Sequence, residues 1–215
     1  MYGRSFWPFV AISLVPNVPF FISGYMPWPV ALALILVGIV LSFLQSGAFV
    51  CGVMGHYASR RVDVIECYSA AWRRVFSLAG VTIVVVLALL ASMILWVILI
   101  GIPLFFYLLV IWFFANEAIM VEGKGPIAAL GRSSDLVRGT WWRVFGIGVV
   151  FVLMLAGLSV AGWIPAAIIG FSSPVAGSIV FTAVSVLVAP IYFIGRTLVY
   201  LDLRVRKEGY TLEAL

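Results

Sequence analysis

The sequence predicts an all-α integral membrane fold: six transmembrane helices as three hairpin repeats, with two amphipathic helices lying along the cytoplasmic interface. Three observations carry that reading. The 215 residues are 65% hydrophobic and only 10% charged, with a mean hydropathy of +1.22, far from the soluble globular range. Every Lys, Arg, Asp and Glu falls in one of four clusters, so residues 5–59, 75–116 and 144–195 carry none. A crossing needs about 20 apolar residues, so each charge-free interval holds two crossings and a turn. All charge then lies on one side of a bilayer.

The first crossing, expected at 6–26, follows Arg4 and is interrupted by Pro8, Pro16 and Pro19. No small-residue cleavage pattern closes it, so it reads as a crossing and not as a signal peptide. The second, at 29–55, is a continuous apolar run ending before His56, Arg60 and Arg61. The third and fourth, at 77–97 and 101–121, are separated by a turn near Pro103, and the fifth and sixth, at 145–164 and 175–200, by a turn between Pro165 and Pro174. Proline stops a helix by removing a donor, which suits these turns. Small residues four apart, Ala48 with Gly52 and Gly157 with Ala161, predict close helix contacts.

Two segments between crossings have helical periodicity. Val64, Cys67, Ala71 and Val75 share one side of the first. In the second, Ile127, Leu130, Ser134, Val137 and Trp141 share a face from which Arg132, Asp135 and Arg138 turn away. Gly123-Lys124-Gly125-Pro126 marks its start, with proline in the first turn. Helices of this kind lie in the interface plane.

Trp72-Arg73-Arg74-Val75-Phe76 and Trp141-Trp142-Arg143-Val144-Phe145 are copies of one anchor, and Arg4-Ser5-Phe6 keeps its end. In each, an arginine at phosphate level precedes a phenylalanine at the head of an apolar run. Residues 1–215 therefore read as a single membrane domain with repeats over about 1–63, 64–125 and 126–215.

The net charge of +5 comes from the clustered face, and short basic loops stay cytoplasmic during insertion. Both termini are expected in the cytoplasm, and the basic face is expected to meet anionic membrane lipids. Nucleic acid is excluded as a partner because acids interrupt the basic residues and the membrane lies against them. Cys51 and Cys67 fall on the reducing side, so no disulfide is expected.

The tail Leu198-Val199-Tyr200-Leu201-Asp202-Leu203-Arg204-Val205-Arg206-Lys207-Glu208-Gly209-Tyr210 resembles the signature that closes the glycerophosphoryl diester phosphodiesterase membrane domain family. The stretch from Leu130 to Phe145, with Ser133-Ser134 and Val137-Arg138-Gly139, looks like that family's cytoplasmic helix and following anchor. The resemblance implies a stand-alone prokaryotic plasma-membrane domain. In fused members catalysis belongs to a separate soluble barrel, whose carboxylates and histidines have no counterpart here.

No catalytic constellation is present: there is no phosphate loop, nucleophile elbow or carboxylate pair within the apolar runs. No metal or cofactor site is expected. The sole histidine, His56, reads as an interface residue, its alternative being ligation of a pigment or haem supplied by a larger complex. Arg196 and Glu117 are expected at similar depth, where an unpaired charge is costly, and are predicted to pair. Arg60, Arg61, Arg73, Arg74, Arg143, Arg204, Arg206 and Lys207 form a basic rim, read as topology determinants and as candidate ligands for lipid headgroups.

The leading functional expectation is a non-catalytic polytopic protein that organises lipid or recruits a partner at its cytoplasmic face. The alternatives are a small permease or channel for a neutral or lipid-like solute, and an accessory subunit of a larger membrane assembly.

Overall fold

The computed structural model describes residues 3–58, 62–95 and 100–209, with side chains throughout except at 3–6 and 172. Arg60, Arg61 and most of the turn expected before Pro103 lie outside the described residues. Among those described, the chain forms helices and no strand: α1 (Gly3–Ser23), α2 (Trp28–Tyr57), α3 (Val64–Trp72), α4 (Val75–Ile94), α5 (Gly101–Ile111), α6 (Ala115–Glu122), α7 (Pro126–Val137), α8 (Trp141–Ser172) and α9 (Pro174–Glu208). Five spans are long and apolar enough to cross a membrane: α2, α4, α5 with α6, α8 and α9. This is a multi-pass membrane protein. In α1 the apolar stretch is shorter, Trp7–Ser23.

Hairpin packing follows from small residues and aromatic rings. A Cβ on Gly52 would lie 2.9 Å from Phe9, so α1 and α2 are in close contact at the expected Ala48–Gly52 position. Phe49 stacks on both Phe9 and Phe193, which ties α1, α2 and α9 together. Pro16 has no N–H to give the carbonyl of Ile12, four residues back. The Tyr68 hydroxyl of α3 donates to that carbonyl at 2.8 Å, so the proline is accommodated by a neighbouring helix. The Asp63 carboxylate accepts from the Ile65 N–H and starts α3. Cys67 and Ala71 of α3 are buried, as the spacing requires.

The core lies toward the charged end of the bundle. It is built from Leu44 to Val53 of α2, Ala115 to Ile119 of α6, the inner face of α7, and Tyr200 to Leu203 of α9. Large apolar side chains of α4, α8 and the outer part of α9 remain exposed, a surface that suits lipid.

Four expectations need correction. The fourth crossing is two helices, because the chain turns at residues 112–114. Pro165 does not stop its helix: α8 continues to Ser172, and Ser173 alone joins it to α9, which runs on to Glu208. The buried face of α7 is Ala129, Leu130, Ser133, Leu136 and Val137, and Ile127 is 80% exposed. The small residues Ala129 and Ser133 face inward because α7 packs against α4, α5, α6 and α9 instead of presenting its bulkiest residues to one apolar plane. Finally, nothing lies within 4 Å of a Cβ on Gly157. Close contacts between α8 and α9 fall instead at Gly162, Gly195 and Gly177, and at Gly177 they are with backbone: a Cβ would stand 2.6 Å from the Ala166 carbonyl oxygen and 2.8 Å from the Gly170 Cα.

Gly177 and Gly157 should respond oppositely to a methyl group. Gly177→Ala pushes against backbone and is expected to cost about 1–3 kcal/mol, the usual penalty for overpacking. Gly157→Ala gains helix propensity in open space and is expected to be neutral or stabilising by up to about 1 kcal/mol. Thermal unfolding of the two variants in one detergent checks the ordering, and equal destabilisation would remove Gly177 as a hairpin contact.

Candidate functional site

The described ion pairs lie at the charged end of the bundle. The innermost joins Arg196 of α9, which is 9% exposed, to Glu117 of α6, which is 1% exposed. Nε donates to one carboxylate oxygen at 2.5 Å and NH2 to the other at 2.8 Å, a two-point pairing that only a guanidinium supplies. The rings of Phe113 and Tyr192 stand 5.5 and 5.9 Å from the guanidinium carbon and complete its surroundings. Glu117 also lies in the first turn of α6, where a helix favours negative charge.

The break between α5 and α6 aims Glu117 at α9. Its open backbone groups are closed by Ser133 of α7, whose hydroxyl donates to the Ile111 carbonyl at 2.7 Å and accepts from the Phe114 N–H at 3.1 Å. The remaining N–H groups from Trp112 to Ala115 bond to backbone carbonyls. One hydroxyl therefore restores what the break removed, the arrangement a helix interruption needs within a membrane.

A second layer is centred on Glu122 at the end of α6. Its carboxylate accepts from Arg132 at 2.7 and 2.9 Å, from the Tyr200 hydroxyl at 2.7 Å and from Lys124 at 3.2 Å. Glu208 of α9 pairs with Arg132 and with Arg204. Burial alone would lower the Arg132 pKa, but hydrogen bonds to Glu122 and Glu208 raise it above the usual guanidinium value. Gly123 ends α6 in the left-handed region at φ 70°, a conformation that suits its missing Cβ.

The candidate headgroup ligands divide by direction. Arg74 turns inward and donates to the Ile119 and Met120 carbonyls, capping the last turn of α6. Arg204 is buried, within 3.7 Å of Glu122 and 3.3 Å of Glu208. Lys207 donates to the Asp135 and Arg138 carbonyls at the end of α7. These three serve helix ends and carboxylates within the protein. Arg73 is exposed, and Arg143 and Arg206 meet at Asp202, at 2.9 and 2.8 Å respectively. His56 is exposed, with its ring edge-on to Tyr57. Among the described residues no three His, Cys, Asp or Glu side chains converge as a metal site would require.

Residues 20–203 match the model of a family described as a domain of unknown function, DUF7847. The chain belongs to that family. No curated protein and no solved structure matches it. The DUF7847 match runs from the last turn of α1 to Leu203 in α9 and so includes the Glu117–Arg196 pair, Ser133, Glu122 and Tyr200. Sequence reasoning reached the pair but missed Ser133, Tyr200 and the sharing of Asp202, each of which depends on helix rotation.

Removing one partner of a buried ion pair strands the other charge. Glu117→Gln and Arg196→Gln are each expected to lose about 3–5 kcal/mol of stability, whereas Glu117→Leu with Arg196→Met should recover most of that loss. Unfolding in mild detergent measures the cycle. A double variant no more stable than either single one would count against the pairing as the cause.

Proposed function

We propose that the chain is a non-catalytic plasma-membrane protein of six crossings, with both termini cytoplasmic, whose function is to bind anionic phospholipid in the cytoplasmic leaflet. The observation that carries this reading is the sharing of Asp202 by Arg143 and Arg206. Two guanidinium groups on one carboxylate leave a net positive charge, and the arginine side chains stay 44% and 61% exposed. A phosphate diester is one anion that such a pair can hold.

Beside this pair, an apolar groove of about 240 Å³ runs between α5 and α8, lined by Phe106, Phe113, Val144, Phe145, Gly148 and Leu153. It begins at the residue after Arg143, so a bound headgroup would have an apolar channel for its acyl chain. Trp142, highly exposed beside Arg143, suits the carbonyl level of the leaflet. For α1, a 17-residue apolar stretch packed along α2 and α9 supports a sixth crossing at the short end of the range. The repeated anchors and the likeness to the glycerophosphoryl diester phosphodiesterase membrane domain rest on the quoted sequence stretches and are compatible with this role.

Solute transport has less support. Broken helices in transporters offer open backbone groups to the solute, whereas here Ser133 and neighbouring carbonyls take the N–H groups of the break.

Native mass spectrometry from nanodiscs of mixed anionic and zwitterionic phospholipid tests the proposal. The wild type should retain anionic lipid preferentially, and Arg143→Gln with Arg206→Gln should reduce that preference about thirtyfold, given roughly 1 kcal/mol for each well-placed cation. Equal retention of both lipids by the wild type, or an unchanged preference in the double variant, would refute it.

A further inference from the structure

Both cysteines of the chain, 16 positions apart in sequence and on different helices, meet in space. Cys51 on α2 and Cys67 on α3 pack in one cluster and face the same cavity. This cavity, of about 350 Å³, is also lined by Met54 of α2 and Met120 of α6. Two thiols and two of the six methionines thus border one space in a chain with a single histidine. The exposed carboxylates Asp63 and Glu66 stand at its rim, so an arriving cation meets negative charge first.

Ligand type selects the metal. Thiolate and thioether sulfur are soft donors that favour Cu(I), whereas Zn(II) needs four ligands drawn from Cys, His, Asp and Glu, no three of which converge among the described residues, and hard cations need oxygen cages. Two cysteines are too few for a closed zinc site but suffice for a two-coordinate monovalent ion, with a methionine in reserve. Arg74 borders the same cavity and brings positive charge to the site.

We propose that Cys51 and Cys67, assisted by Met54 or Met120, form a binding site for a soft monovalent metal ion, Cu(I) being the physiological representative. On binding, two S–H bonds break, two Cu–S bonds form and two protons leave to solvent. Copper remains in the +1 state, so no oxidant or reductant takes part. The product, a bis-thiolate, carries one net negative charge. In the apo form, the neighbouring Cys51 and then burial push the Cys67 thiol well above its usual pKa.

The test is competition for Cu(I) between the full-length protein in detergent and a chromogenic bidentate chelator under anaerobic conditions. One equivalent should transfer to the wild type, with affinity falling at least 100-fold in Cys51→Ser and in Cys67→Ser and about tenfold in Met54→Leu with Met120→Leu. X-ray absorption at the copper edge of the loaded wild type should show a shell of sulfur only, a readout that does not depend on the variants folding. Failure of the wild type to withdraw Cu(I), undiminished binding by Cys51→Ser with Cys67→Ser, or a nitrogen or oxygen shell would each overturn the proposal. Zn(II) retained as tightly as Cu(I) would overturn the assignment to a soft monovalent ion.

Discussion

A full charge within an apolar bundle must meet its opposite, and the pairing of Arg196 with Glu117 is the constraint from which much of this architecture follows. Even on insertion scales, an arginine at the centre of a membrane helix costs about 2.5–3.5 kcal/mol. To bring Glu117 to α9, α6 must leave the line of α5, and the turn at residues 112–114 gives it that freedom. The turn exposes backbone groups that only a side chain from another helix can reach. Ser133 reaches them because α7 is drawn into the bundle, and α7 is held there by Arg132 on Glu122 and Glu208 and by Lys207 on its last carbonyls. One buried pair thus entails a broken helix, an inserted helix and a second tier of ion pairs.

That dependence separates the arginines that hold the bundle together from those that face outward. Arg74, Arg132, Arg196 and Arg204 satisfy carbonyls and carboxylates within the protein. Arg73, Arg143 and Arg206 keep exposed surface beside large apolar residues such as Trp72 and Trp142. A uniform basic rim would give diffuse attraction to an anionic leaflet. Arginines sharing one carboxylate next to an apolar groove supply a local arrangement in which both ends of a phospholipid find a partner.

The sequence made the coarse plan legible because charge placement in lipid is governed by large free energies. Four clusters with long apolar intervals between them point to a multi-pass helical membrane protein, and two ionisable residues at similar depth, Glu117 and Arg196, point to each other. The finer features depend on smaller terms. The break after Ile111 occurs in Trp112-Phe113-Phe114, with no proline or glycine to announce it, and its cause lies in α7, more than twenty residues away. The inner face of α7 was misjudged because bulk favours Ile127 while tight packing selects Ala129 and Ser133. Pro165 looked like a stop, yet α8 continues past it. Tyr68 completing Pro16's missing hydrogen bond, and Cys51 meeting Cys67, are relations between helices that no periodicity within one helix encodes.

The proposed topology sets the ion pairs toward one side of the membrane while the chain returns from the other side through uncharged turns. Substituted-cysteine labelling in a Cys51→Ser, Cys67→Ser background addresses this most directly. Single cysteines at Lys124 and Arg206 should react with an impermeant maleimide only in inside-out vesicles, and one at Ser173 only in intact cells. Labelling of Lys124 and Arg206 from opposite faces, or of Ser173 from the same face as Lys124, contradicts the one-sided partition of charge.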